Sequence, residues 1–306
     1  KNFAFKLSRI NIDTFWINHK SYEEEENLNS FFWLNLINRK NDGSVIQKII
    51  SIWINSNTRY NKKNWQNSNI SKRILAWILN ADIILNNADV HFRKMFFLSI
   101  IAQVNHLKNN LNYENSSIKK IEIISAIILS GLVFKDYNKN FELGIKELKK
   151  IVEDFFNNDG CPISRNMYDL VQSSKFLILI KECCNDAQEY IPDYLEDIVE
   201  KQIDCLYSME APINRNPLFN GSSEFKINSY LSYLTGLGYK IKRERENINQ
   251  IYGFTFKSIS LLSIQSLNSN FLTGLLSNKT FFLDLLFLSS ISSLGKIFLE
   301  SFKIKS

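Results

Sequence analysis

Ser116-Ser-Ile-Lys-Lys-Ile-Glu-Ile-Ile-Ser-Ala-Ile-Ile-Leu-Ser-Gly-Leu132 decides the fold class. Two serines open it, and a serine ahead of an apolar-periodic run can accept a hydrogen bond from the first free N–H groups of a helix. Ile118, Ile121, Ile124, Ile128 and Leu132 recur at helical spacing. The second half of the stretch is apolar on nearly every side, as expected of a helix enclosed by other helices. The segment reads as an inner helix.

The same period extends in both directions. Val45, Ile46, Ile49, Ile50, Trp53 and Ile54 form one stripe, with Ser44 as its cap. Ser71 precedes a second run carrying Ile74, Leu75, Ile78, Ile84 and Leu85. A third helix covers about 90–111 and a fifth about 138–157. A sixth follows at about 167–186, and Pro192 opens a seventh that runs through about 208. Residues 226–236 read as one more. Long helices joined by short polar turns pack as antiparallel pairs. More buried helices alternate with more polar ones, which suits two concentric layers better than a four-helix bundle. No strict repeat marks a short-period solenoid. The expected fold is therefore all-α, an incomplete (α/α) toroid over residues 41–236.

The flanks read differently. Residues 1–40 mix aromatic and polar residues, as in an irregular arm followed by a first helix near 23–38. Tyr239/Ile241 and Tyr252/Phe254/Phe256 alternate with polar residues around a charged turn, predicting a β-hairpin near 239–257. Residues 237–258 then read as the start of a truncated β domain. Residues 259–306 are rich in Ser, Leu and Phe, and fit either a closing helix or a non-native tail. Asp284 and several serines interrupt their apolar run, which argues against a membrane span.

Composition narrows the function classes. Only 10 glycines and 4 prolines occur in 306 residues, fewer than an all-β chain of many tight turns needs. The net charge of +6 fits either ordinary solubility or an anionic partner such as an acidic glycan. Nucleic acid has only that charge in its favour and is not expected. Cys161, Cys183, Cys184 and Cys205 form no Cys-x-x-Cys pair and no Cys/His cluster, so no metal site is expected. They outline no disulfide framework and leave the redox compartment open. The chain begins at Lys1 without a leader pattern and reads as a piece of a longer frame, so periplasm and cytoplasm both stand.

The most irregular break between helices is Asp159-Gly-Cys-Pro-Ile-Ser-Arg-Asn-Met-Tyr168. Such a turn sets a guanidinium, Arg165, and a phenol, Tyr168, at the mouth of whatever the helices enclose. Arg165 is a candidate for bidentate binding of a substrate carboxylate.

Several landmarks in order carry a family resemblance. They are Trp65 with Ser71-Lys-Arg-Ile-Leu-Ala-Trp77, Gln103-Val-Asn-His-Leu107, Ile127-Ile-Leu-Ser-Gly131-Leu, the Asp159 turn with Ser164-Arg-Asn166, and Leu218-Phe-Asn-Gly-Ser-Ser-Glu224. Together, over about residues 28–258, they resemble the N-terminal α/α-toroid region of the heparinase II/III family of polysaccharide lyases, more narrowly a bacterial branch. The resemblance implies an acidic, uronic-acid-containing polysaccharide as substrate. It also implies a C-terminal β-sandwich that is largely missing from this chain.

The implied reaction is β-elimination, which needs neither metal nor organic cofactor. A group beside the uronate carboxylate neutralises it. A Tyr or His takes the C5 proton, and a Tyr or His protonates the leaving O4. Tyr168 matches the family's tyrosine after the Asp-Gly turn, although the proline of that context is absent. Asn105-His106 matches the Asn-His pair of active members. Counting back from Gly131, however, brings that pair to Ile118-Lys119, and His106 then fits a structural His-Leu position. Asn220, in a turn-forming Asn-Gly, is a secondary substrate-binding candidate. The rival expectation is a non-catalytic helical scaffold that binds a glycan or protein through Lys62, Lys63, Trp65 and Arg73.

Overall fold

The computed structural model describes residues 15–16, 22–37, 43–134, 138–208, 220–223 and 227–239. The helices are α1 (Tyr22–Ser30), α2 (Gly43–Ser56), α3 (Asn67–Leu79), α4 (Ala81–Leu85), α5 (Val90–Asn110), α6 (Ser117–Val133), α7 (Asn138–Phe155), α8 (Met167–Ala187), α9 (Asp193–Ser208) and α10 (Ile227–Gly236). No sheet forms among the described residues, and the fold is all-α. The expected hairpin lies outside the described residues except for Tyr239, and the segment 259–306 lies wholly outside them. The chain divides into two compact units, and the division falls within α7, after Ile145.

The first unit contains α1 to α6 and the start of α7. Its inner helix is α6, buried without interruption from Ile121 to Gly131. Ser116 caps it, its Oγ accepting from the Lys119 N–H at 3.4 Å. α6 packs along α3, and across that contact Ser71 donates to the Glu122 carboxylate at 2.5 Å. Ser71 is thus a buried residue within α3. The helix starts four residues before it, at Asn67. At Gly131, a Cβ would stand 2.8 Å from the Cα of Phe141, so α7 approaches α6 where no side chain intervenes.

Aromatic rings fill the other side of α3. Trp77 lies 5.2 Å from Phe31, 5.8 Å from Trp53 and 5.1 Å from Phe96, centroid to centroid. Phe31 adopts a left-handed backbone (φ 59°). That conformation splits the helix expected over 23–38 into α1 and a short 3₁₀ turn, Phe32–Leu36. Asn80 does the same between α3 and α4: its side chain turns back to the Ala76 carbonyl at 2.9 Å.

Arg73, also on α3, is fully buried. It donates to Gln103 Oε1 (2.6 Å) and to the carbonyls of Asn29 (2.9 Å) and Asn64 (3.2 Å), and lies 4.0 Å over the Trp53 ring. Its burial lowers the guanidinium pKa to about 9. An arginine so enclosed ties α1, α3 and α5 together and presents nothing to a partner.

The second unit holds the later part of α7 with α8, α9 and α10. Here α8 is the enclosed helix, buried from Leu170 to Ile180. Small hydroxyls let its neighbours bond to it. Ser173 Oγ accepts from Gln202 of α9 at 3.1 Å, and Ser174 Oγ pairs with the Tyr230 hydroxyl of α10 at 2.9 Å. Lys175 is buried on the same helix, its Nζ 5.9 Å from the Tyr230 ring. The Tyr239 hydroxyl donates to the Glu182 carboxylate near the other end of α8.

Candidate functional site

The turn between α7 and α8 is built by its own backbone. The Ile163 N–H donates to the Phe155 carbonyl and the Asn157 N–H to the Cys161 carbonyl, each at 2.9 Å. An antiparallel bridge pairs Phe156 with Pro162. Asn157 Oδ1 closes the tip, accepting from the N–H groups of Asp159 (3.1 Å) and Cys161 (2.9 Å). Gly160 at the tip has φ +84°, and a Cβ there would meet the Lys201 Cβ at 2.6 Å. Only glycine satisfies both the conformation and the approach of α9.

Past the bridge the chain turns again. The Arg165 N–H donates to the Pro162 carbonyl at 2.8 Å, and Arg165 itself is left-handed at φ 53°. That conformation costs a side-chain-bearing residue roughly 1–2 kcal/mol. Two bonds from a distant segment hold it. Asn220 Nδ2 donates to the Arg165 carbonyl, and Asn166 Nδ2 donates to the Asn220 carbonyl, both at 3.1 Å. Asn220 and Gly221 are left-handed too, at φ 56° and 78°. Asn166 also caps α8, its Oδ1 accepting from the Tyr168 N–H at 2.8 Å. Ser164 Oγ donates to Asp169 at 2.8 Å, closing the first turn from the other side.

This lattice aims two side chains outward. The Arg165 side chain is exposed, and Tyr168, in the first turn of α8, is 41% exposed. A guanidinium and a phenol three residues apart on a locally braced turn can bind a carboxylate and exchange a proton. Arg165, Tyr168 and Asn220 thus belong to one cluster in the second unit. Within it, the two asparagine side chains bond backbone rather than point outward.

Asn105 and His106 lie on α5, in the first unit. Asn105 is exposed beside a shallow depression lined also by Val104, Ser130 and Asn140, too slight to hold a water molecule. His106 is held in an aromatic stack: its ring lies 5.6 Å from Tyr60 at 27° and 5.4 Å from Trp65 edge-on. Burial lowers its pKa, and a backbone hydrogen bond to Trp65 opposes that shift. Tyr60 is 66% exposed on the outer side of the stack. Nearby, Lys63 pairs with Glu25 at 2.6 Å, while Arg59 and Lys62 are exposed. Of the four residues expected on a scaffold-type binding face, Arg73 is absent from any surface.

Two features were not anticipated from the sequence. One is the Asn166–Asn220 clasp, in which Asn166 bonds the Asn220 carbonyl and Asn220 bonds the Arg165 carbonyl; its only sequence signal is a pair of turn-prone asparagines 54 residues apart. The other is the approach of Cys161 to Cys205, which no local spacing announces. Among the described residues no group of His, Cys, Asp and Glu could hold a metal ion. No described helix is long and apolar enough to cross a membrane.

Comparison with known proteins adds three findings. No curated protein sequence matches the chain. The solved structure of a heparinase III gene product is similar in fold, with a TM-score of 0.59 at 16% identity over 82% of this chain. The match spans 43% of that protein, less than half its length, and it is an α/α toroid. Finally, the family model described as Heparinase II/III N-terminus matches residues 34–246. That span runs from the 3₁₀ turn through α10 and includes both the α3–α6 core and the braced turn before α8, so this chain belongs to the heparinase II/III family.

Proposed function

We propose that the chain is the helical part of a polysaccharide lyase that cleaves acidic, uronic-acid-containing glycans by β-elimination. Membership of the heparinase II/III family supports a lyase-like protein. The observation that carries the finer reading is the braced turn. Backbone groups of Arg165 and Tyr168 are bonded within the turn, while the Arg165 side chain is exposed and Tyr168 is 41% exposed. In this reading the Arg165 guanidinium binds the uronate carboxylate and draws its charge, which acidifies the C5–H. The Tyr168 phenolic oxygen takes the C5 proton and returns a proton to the leaving O4. Asn220 acts as a positioning residue through the Arg165 carbonyl. Asn105 and His106, on α5 of the first unit, are proposed as separate candidates for neutralising a carboxylate and moving a proton. A β-sandwich domain, as the family resemblance implies, is proposed as the partner of these helices in glycan cleavage.

A second reading keeps the glycan and drops the cleavage. The exposed Tyr60 ring, stacked on His106 among Arg59 and Lys62, supports binding alone, since flat rings and cations suit an anionic sugar chain.

The test incubates the protein with polygalacturonate, alginate, hyaluronan and heparan sulfate and follows the ultraviolet absorbance of unsaturated uronate ends. Lyase activity that falls at least about a hundredfold in Tyr168→Phe, with glycan affinity kept, supports the lyase reading. Binding without new absorbance selects the scaffold reading. Activity that survives Tyr168→Phe unchanged removes Tyr168 from the mechanism.

A further inference from the structure

Cys161 and Cys205 stand in the second unit with their sulfurs 3.0 Å apart. Cys161 follows the glycine at the tip of the turn, and Cys205 lies on α9, which that glycine touches. Both side chains are buried. Cys205 also donates to the Asp159 carbonyl at 3.2 Å, so one thiol already bridges α9 to the turn. A disulfide bond is about 2.05 Å long. Closing one here needs an approach of only about 1 Å, within the give of two side chains.

We propose that Cys161 and Cys205 are a disulfide-forming pair that locks the turn carrying Arg165 and Tyr168 onto α9. The oxidant is a small or protein disulfide, such as oxidised glutathione or a thiol–disulfide oxidoreductase. One thiol loses its proton and attacks a sulfur of that disulfide, giving a mixed disulfide and one released thiolate. The second thiol loses its proton and attacks the protein sulfur of the mixed bond, releasing the other thiolate. Two electrons pass to the oxidant, and two protons leave the protein. The hydrogen bond with Cys161, and then burial, raise the Cys205 pKa well above its ordinary value. The pair therefore reacts slowly in the closed fold and is protected from reductant once joined.

The bond would close a ring of residues 161–205, long enough to raise the melting temperature by on the order of 10 °C over the reduced chain. The test equilibrates the whole chain with oxidised glutathione, quenches in acid, and maps the unreduced peptides by mass spectrometry. The expected product is a Cys161–Cys205 cross-linked peptide pair, with the intact chain about 2 Da lighter and a higher melting temperature. Cys161→Ser should form no such product and should melt like the reduced protein. If that variant fails to fold, differential alkylation of the wild type gives the same answer, since both thiols must disappear together. Two thiols that remain alkylatable after oxidation overturn the proposal. So does a bond from Cys205 to Cys183 or Cys184, or a 161–205 bond that leaves the melting temperature unchanged.

Discussion

Replacing Lys175 by methionine should remove a pH dependence from the stability of the protein. Lys175 lies on the enclosed helix α8, only 4% exposed, and burial lowers its pKa to about 7 from an ordinary value of 10.5. The unfolded chain therefore holds a proton that the folded chain has released between about pH 7 and pH 10.5. Stability rises with pH wherever the unfolded state binds more protons, by about 1.4 kcal/mol per pH unit per proton. Below pH 7 the lysine is charged in both states and the burial cost is fully present. Raising the pH from 6 to 9 relieves about 2.5 kcal/mol of it. Methionine keeps most of the side-chain volume and carries no charge. Urea unfolding of wild type and Lys175→Met, followed by circular dichroism at intervals from pH 6 to 9, isolates the effect, since the remaining groups titrate in both proteins. The methionine variant should be the more stable at pH 6, and the gap should narrow by about 2.5 kcal/mol by pH 9. Parallel pH profiles for the two proteins would refute the reasoning.

Two further expectations concern close approaches and the clasp. Gly131→Ala pushes a methyl group to within 2.8 Å of the Phe141 Cα. It should destabilise the first unit by about 1–3 kcal/mol in urea titration, with a neutral result showing that α7 can withdraw from α6. Asn220→Ala removes the donor to the Arg165 carbonyl and frees a left-handed backbone. It should cost about 1–2 kcal/mol and speed proteolysis near Arg165, while Asn220→Asp, which keeps an acceptor but loses the donor, should not restore protection.

Helix periodicity made most of the fold legible. The α6 stretch reads as enclosed because it is apolar on all sides, and it is the buried helix of its unit. Ser116 and Pro192 mark helix starts correctly, at α6 and α9. Ser44 does not, because α2 already begins one residue earlier, at Gly43. The break at Phe31 was also hidden, since a bulky left-handed residue has no sequence signature and is held by its packing against Trp77. The landmark residues of the turn were visible in order, but their geometry was not. Arg73, a basic residue in a polar-looking stretch, reads as a surface cation, and its burial is explained by Gln103 and the converging carbonyls of Asn29 and Asn64. His106 shows the same limit, since its stacking partners Tyr60 and Trp65 come from the α2–α3 connection.

The Asn166–Asn220 clasp makes two distant places in the chain one unit of variation. Arg165 holds an unfavourable backbone, and Asn220 bonds its carbonyl. A change at either place therefore alters the effect of a change at the other, and the two should be non-additive in a double-mutant cycle. Glycine at 165 removes the strain, and with it most of the need for the asparagine at 220. Substitutions tolerated singly on either side of the clasp will be read correctly only as pairs.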